Sequence, residues 1–121
     1  MNLILLLALF FSVPRTFLQE GRNGWKTVQT FSGTGIETTD DFTISSSKWR
    51  MVWSAKAVYV EAGIFFSGFV TCNDCGATSK GFANVTSEGS GQSVFRTKGS
   101  HYIEVNSVNC QWKLEIQVPN K

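Results

Sequence analysis

From Gln111 to Val118 the sequence alternates without a break. Trp112, Leu114, Ile116 and Val118 fall on one side of an extended chain, and Lys113, Glu115 and Gln117 fall on the other. Successive side chains of a β-strand point to opposite faces, so such a segment has one face for a core and one for water. Lys48 to Ala55 repeats the pattern, with Trp49, Met51 and Trp53 opposite Arg50, Val52 and Ser54. A chain that carries two strands of this kind is committed to pairing them and covering their tryptophan faces.

The remaining segments fit that demand. Trp25 to Phe31, Thr38 to Ile44, Ile64 to Thr71, Phe82 to Thr86, Ser93 to Thr97 and Tyr102 to Val108 all read as strands, for a total of about eight by the period-2 criterion. Gly, Ser, Asn and Asp punctuate them: Ser32-Gly33-Thr34-Gly35, Ser45-Ser46-Ser47, Gly89-Ser90-Gly91 and Lys98-Gly99-Ser100 read as turns, and Cys72 to Lys80 as a loop. Ile64 to Thr71 is apolar on both faces, which suits a central strand or one turned towards a partner. The expected fold is all-β: an antiparallel β-sandwich, jelly-roll or immunoglobulin-like, formed by residues 24–119 as one domain.

The first stretch differs in kind. Asn2 to Phe11 is almost wholly apolar and is broken by Ser12-Val13-Pro14-Arg15. This run suits the apolar region of a signal peptide and is shorter than the ~20 residues of a membrane-spanning helix. No Lys or Arg precedes it, and no small-x-small cleavage site follows. Residues 1–18 are expected to be a leader, and the mature chain to be secreted or extracytoplasmic, without a membrane span. The first cysteine is Cys72, so no lipid-anchor cysteine adjoins the leader. The net charge of +2 is small and the basic residues are scattered, which argues against a nucleic-acid partner.

Catalytic constellations are not apparent. The single histidine, His101, has no G-x-S-x-G elbow beside it and reads as a solvent-facing strand residue. Asp40-Asp41 is the only adjacent acidic pair, and neighbours on a strand point apart, so the two cannot flank one glycosidic bond. Glu37, Asp40 and Asp41 lack the spacing of a defined calcium loop and read as solvated edge acids. No cofactor and no metal is expected.

The three cysteines carry more information. Cys72-Asn73-Asp74-Cys75 with Cys110 and His101 offers zinc three thiolates and an imidazole, but the second half lacks ligand spacing. In an oxidising compartment one disulfide and one spare thiol is the simpler outcome. The expected bridge joins Cys110 to Cys72 or to Cys75.

Trp49, Trp53 and Trp112 share faces with Met51, Leu114 and Ile116, the company of a core. Trp25, at the start of its strand, is the residue offered as a ligand surface, because exposed aromatic rings stack on sugars. Asn84-Val85-Thr86 matches the acceptor motif for N-glycosylation.

The order Trp25, Phe31-Ser32-Gly33-Thr34-Gly35, Thr38, Phe42-Thr43-Ile44 and Trp49-Arg50-Met51-Val52-Trp53, followed by Gly99, Tyr102-Ile103-Glu104-Val105 and Trp112-Lys113-Leu114-Glu115-Ile116, resembles a group of small secreted or lipoprotein β-sandwich domains of bacteria and archaea. That resemblance implies a fold and export, and no activity. The functional expectation is a non-catalytic exported domain that binds a protein or glycan through loop tips or one sheet face. The alternative is a secreted hydrolase or inhibitor.

Overall fold

The structure is a computed structural model that describes residues 24–120; the leader expected over residues 1–18 lies outside them. Nine strands occur among the described residues: β1 (Trp25–Thr34), β2 (Glu37–Thr38), β3 (Phe42–Ile44), β4 (Trp49–Ala57), β5 (Phe65–Cys72), β6 (Thr78–Val85), β7 (Gly89–Phe95), β8 (Gly99–Val108) and β9 (Cys110–Pro119). They form two antiparallel sheets packed face to face. The first has the order β1-β9-β4-β7; in the second, β2-β8-β5-β6, β3 also pairs with β8.

The inward faces are those the alternation marks. Trp49, Met51, Trp112, Leu114 and Ile116 of the first sheet are buried against Phe66, Val70, Ile103 and Val105 of the second. Trp49 stacks on Phe95 with centroids 4.5 Å apart, and Trp53 tilts onto Phe66 at 5.4 Å. Buried indole N–H groups need acceptors. That of Trp49 donates to the Thr97 carbonyl at 3.0 Å and that of Trp112 to the Gly35 carbonyl at 3.1 Å. Gly68 is required by contact: a Cβ there would run into the Phe82 ring, which fills the space beside the β5 backbone.

Several boundaries differ from the sequence expectation: Ser32, Gly33 and Thr34 continue β1, and Gly99 and Ser100 open β8, where turns are expected. The segment Thr38 to Ile44 is two short strands, because the chain leaves the ladder at 39–41, where Thr39 binds Ile103 through both its backbone N–H (2.9 Å) and its hydroxyl (3.0 Å). The Cys72 to Lys80 loop shrinks to a 3₁₀ turn (Asn73–Cys75) and its exit, since Thr78, Ser79 and Lys80 already pair with β5. Gly89-Ser90-Gly91 is strand rather than turn: all three pair with β4, and Gly91 lies under the Trp53 indole, where a Cβ would come within 2.8 Å.

A bulge in β1 decides where Trp25 goes. Thr27 pairs with Gln117 and Gln29 with Ile116, so Val28 is an extra residue and the facing of the strand slips by one. Trp25 and Phe31 are both odd-numbered, yet Phe31 packs on Phe42 in the core (5.7 Å) while Trp25 lies outside on the Arg50 side.

Candidate partner-binding end of the sandwich

Antiparallel register gives the sandwich two distinct ends. Phe65 pairs with Val108 and Cys72 with His101, so the start of β5 lies beside the end of β8. Ala57 pairs with Cys110 and Thr34 with Gln111. The connections 35–36, 58–64 and Asn109 therefore meet at one end. At the other end lie the 45–48 connection and the disulfide turn, as well as residues 24 and 120, where the Asn120 N–H donates to the Gly24 carbonyl at 2.8 Å.

The first end is apolar in a way the rest of the surface is not. Of the large hydrophobic side chains exposed among the described residues, Ile36, Val58, Tyr59, Val60, Phe65 and Val108 all belong to it. Tyr59 and Val60 are 70% and 80% exposed, which places them in solvent rather than at the rim of the core. A shallow hollow of about 440 Å³ lies beneath, lined by Thr34, Gly35, Val58, Tyr59, Ala62 and Asn109, with Cys110 also in its wall.

The loop that carries Val58, Tyr59 and Val60 is organised around the Asn109 amide. Asn109 joins β8 to β9 with φ at +54°, in the left-handed region that Asn tolerates better than most residues. Its Oδ1 accepts from Tyr59 N–H at 2.8 Å, and its Nδ2 faces the carbonyls of Tyr59 (3.0 Å), Ala62 (3.1 Å) and Gly63 (3.1 Å). Backbone bonds from Val58 N–H to the Asn109 carbonyl and from Ala62 N–H to the Tyr59 carbonyl complete the turn. The Glu88 carboxylate caps the Ala57 N–H at 2.8 Å from the neighbouring connection.

The expected bridge from Cys110 to Cys72 or Cys75 is corrected by the structure, which joins Cys72 to Cys75 and leaves Cys110 as a free, buried thiol. The β5–β8 register is the reason: Cys72 ends β5, whereas Cys110 lies just past the residue paired with the start of β5, roughly 23 Å away along the strand. That separation also rules out joint ligation of one zinc ion, and no group of three or more metal-binding side chains occurs among the described residues. Burial pushes the Cys110 thiol pKa up, opposed by a hydrogen bond with the Lys56 backbone.

His101 is corrected as well. It is fully buried, not solvent-facing, because β8 begins at Gly99 and puts His101 in phase with Ile103 and Val105. The imidazole stacks on Phe42 and meets the edge of Trp49. Its Nδ1 donates to the Gly99 carbonyl at 2.8 Å, so Nε2 of the neutral ring accepts from the Thr97 hydroxyl at 2.9 Å. Desolvation lowers its pKa, against weaker opposing effects of the Gly99 carbonyl and Asp74.

Trp25 is half-buried, and the Arg50 guanidinium sits 4.4 Å from its ring centre. Arg50 is fixed there by Gln117 Oε1 (2.6 Å) and Gln92 Oε1 (3.1 Å), so a sugar stacking on this ring face would have to displace a well-held cation. Asp40 and Asp41 are exposed. No protein-family model matches this chain, and no curated protein matches it.

Proposed function

We propose that this chain is an exported, non-catalytic interaction domain that presents the 58–63 loop and its apolar neighbours to a partner protein. The observation that carries the reading is the concentration of exposed Val58, Tyr59 and Val60 on a connection pinned by Asn109, with exposed Ile36 on the neighbouring connection. Contiguous exposed apolar side chains mark interaction surfaces. A loop already ordered by hydrogen bonds loses little entropy on binding, which lowers the cost of association. A protein partner fits better than a glycan, because sugars require several free polar groups and the Asn109 amide is already committed to the loop.

Export is supported by the leader-like run and by the Cys72–Cys75 disulfide, since such bonds persist in oxidising compartments. Among the described residues no helix is long and apolar enough to cross a membrane. The tip lies at the opposite end from residues 24 and 120, so a chain attached through either would hold it outward. The resemblance to exported bacterial and archaeal sandwich domains belongs to the same proposal.

A photo-crosslinking residue placed at Tyr59, with a second placed at Ser47 at the far end, tests this reading on cells that secrete the chain. One defined protein adduct at position 59, absent at 47 and lost when Val60→Asp is added, is the expected result. Equal labelling at both positions would overturn it.

A further inference from the structure

We propose that Asn84 is an N-glycosylation site whose first sugar lies between Phe65 and Phe69 on the outer face of the second sheet. The proposal rests on the export reading, since oligosaccharide transfer to Asn occurs outside the cytoplasm.

Four observations converge on it. Asn84-Val85-Thr86 satisfies the acceptor motif, with a middle residue other than proline. Asn84 lies on β6, an edge strand of its sheet, and is exposed, with no hydrogen-bond partner for its side chain among the described residues. Asn84 pairs with Ser67, so the two share the outward face, and Phe65 and Phe69 flank Ser67 along β5 on that same face. Phe65, Ser67, Phe69, Gly81, Ala83 and Asn84 together line a groove of about 500 Å³, into which the asparagine opens.

The rings need a cover that water does not supply. Phe65 is 36% and Phe69 43% exposed on a strand that is central in its sheet, and Phe69 leans over the bare backbone of Gly81. The apolar C–H face of an N-acetylhexosamine stacks on aromatic rings, and a sugar tethered at Asn84 is held beside both at high effective concentration. The attachment balances without oxidation. The Asn84 amide nitrogen displaces the pyrophosphate from C1 of a lipid-pyrophosphate-linked sugar. The N–C1 bond forms, the C1–O bond breaks with its electron pair leaving on the lipid pyrophosphate, and one amide proton passes to a base of the transferase.

Intact mass and a glycopeptide map of the protein collected from the medium of its own cells test the site. The expected result is a sugar adduct on the peptide containing Asn84, lost in Asn84→Gln and Thr86→Ala and retained in Thr86→Ser. Enzymatic removal of the glycan is expected to lower the Tm of the wild type and to leave that of Phe69→Ser unchanged. Secreted protein that lacks residues 1–18 and carries an unmodified Asn84 would overturn the site while leaving export intact. Chain retained inside the cell with Met1 in place would overturn both. An equal Tm change in the wild type and in Phe69→Ser would overturn the stacking.

Discussion

Asn109 and Tyr59, 50 residues apart in sequence, exchange two hydrogen bonds: Tyr59 N–H donates to Asn109 Oδ1 at 2.8 Å, and Asn109 Nδ2 donates to the Tyr59 carbonyl at 3.0 Å. Asn109→Gly keeps the positive φ and removes the amide, so its expected cost is that of the lost bonds, about 1–2 kcal/mol. Asn109→Ala adds left-handed strain of about 1–2 kcal/mol. Hydrogen exchange at the Tyr59 amide is expected to quicken in both variants while the β9 amides stay protected. Unchanged exchange at Tyr59 would show that the loop is held by something else.

Gly68 and Phe82 make a second testable contact. Adding one methyl in Gly68→Ala forces the Phe82 ring aside, with an expected loss of about 1–3 kcal/mol by urea denaturation. Phe82→Leu in the same chain frees space beneath, and the double variant is expected to lose less than the sum of the single changes. Strict additivity would mean that the backbone, not the ring, gives way.

His101 is neutral in the folded protein and its pKa is lowered, whereas in the unfolded chain it titrates near its ordinary value of 6.5. As pH falls through 6.5 the unfolded state takes up a proton that the folded state does not. Stability is therefore complete above that pH and declines below it, until the depressed folded pKa is passed. A Tm series from pH 7.5 to 5 is expected to fall more steeply for the wild type than for His101→Gln. Parallel curves would refute the assignment.

Cys110 is buried and its thiol is pushed towards the protonated form. The native protein is expected to resist iodoacetamide at pH 8. The unfolded, unreduced chain should take one alkyl group, and the reduced chain three, one for each cysteine. The single adduct should map to Cys110.

The strands were legible because burial imposes a local period: Trp49, Met51 and Trp53, or Trp112, Leu114 and Ile116, announce a core without any knowledge of their partners. The burial of His101 runs against the usual exposure of histidine, although its parity with Ile103 and Val105 puts it on the inward face. The cysteine pairing was not legible, because it depends on which ends of β5 and β8 meet, a relation between distant segments. The facing of Phe31 relative to Trp25 turns on one bulged residue, Val28, which no alternation pattern marks. The loop clamp left a faint trace: a lone Asn between Val108 and Cys110 is the residue type that accepts a left-handed turn between strands.

The pairing of β1 with β9 also sets how the domain responds to force. Trp25 lies opposite Pro119, so the start of β1 and the end of β9 lie at the same end of one antiparallel pair. Tension applied between residues 24 and 120 loads the rungs of that ladder one after another instead of all together, and the pair unzips. The Cys72–Cys75 bridge closes a ring within one turn of the second sheet and carries none of this load. A domain connected in this way resists tension applied through residues 24 and 120 only one rung at a time.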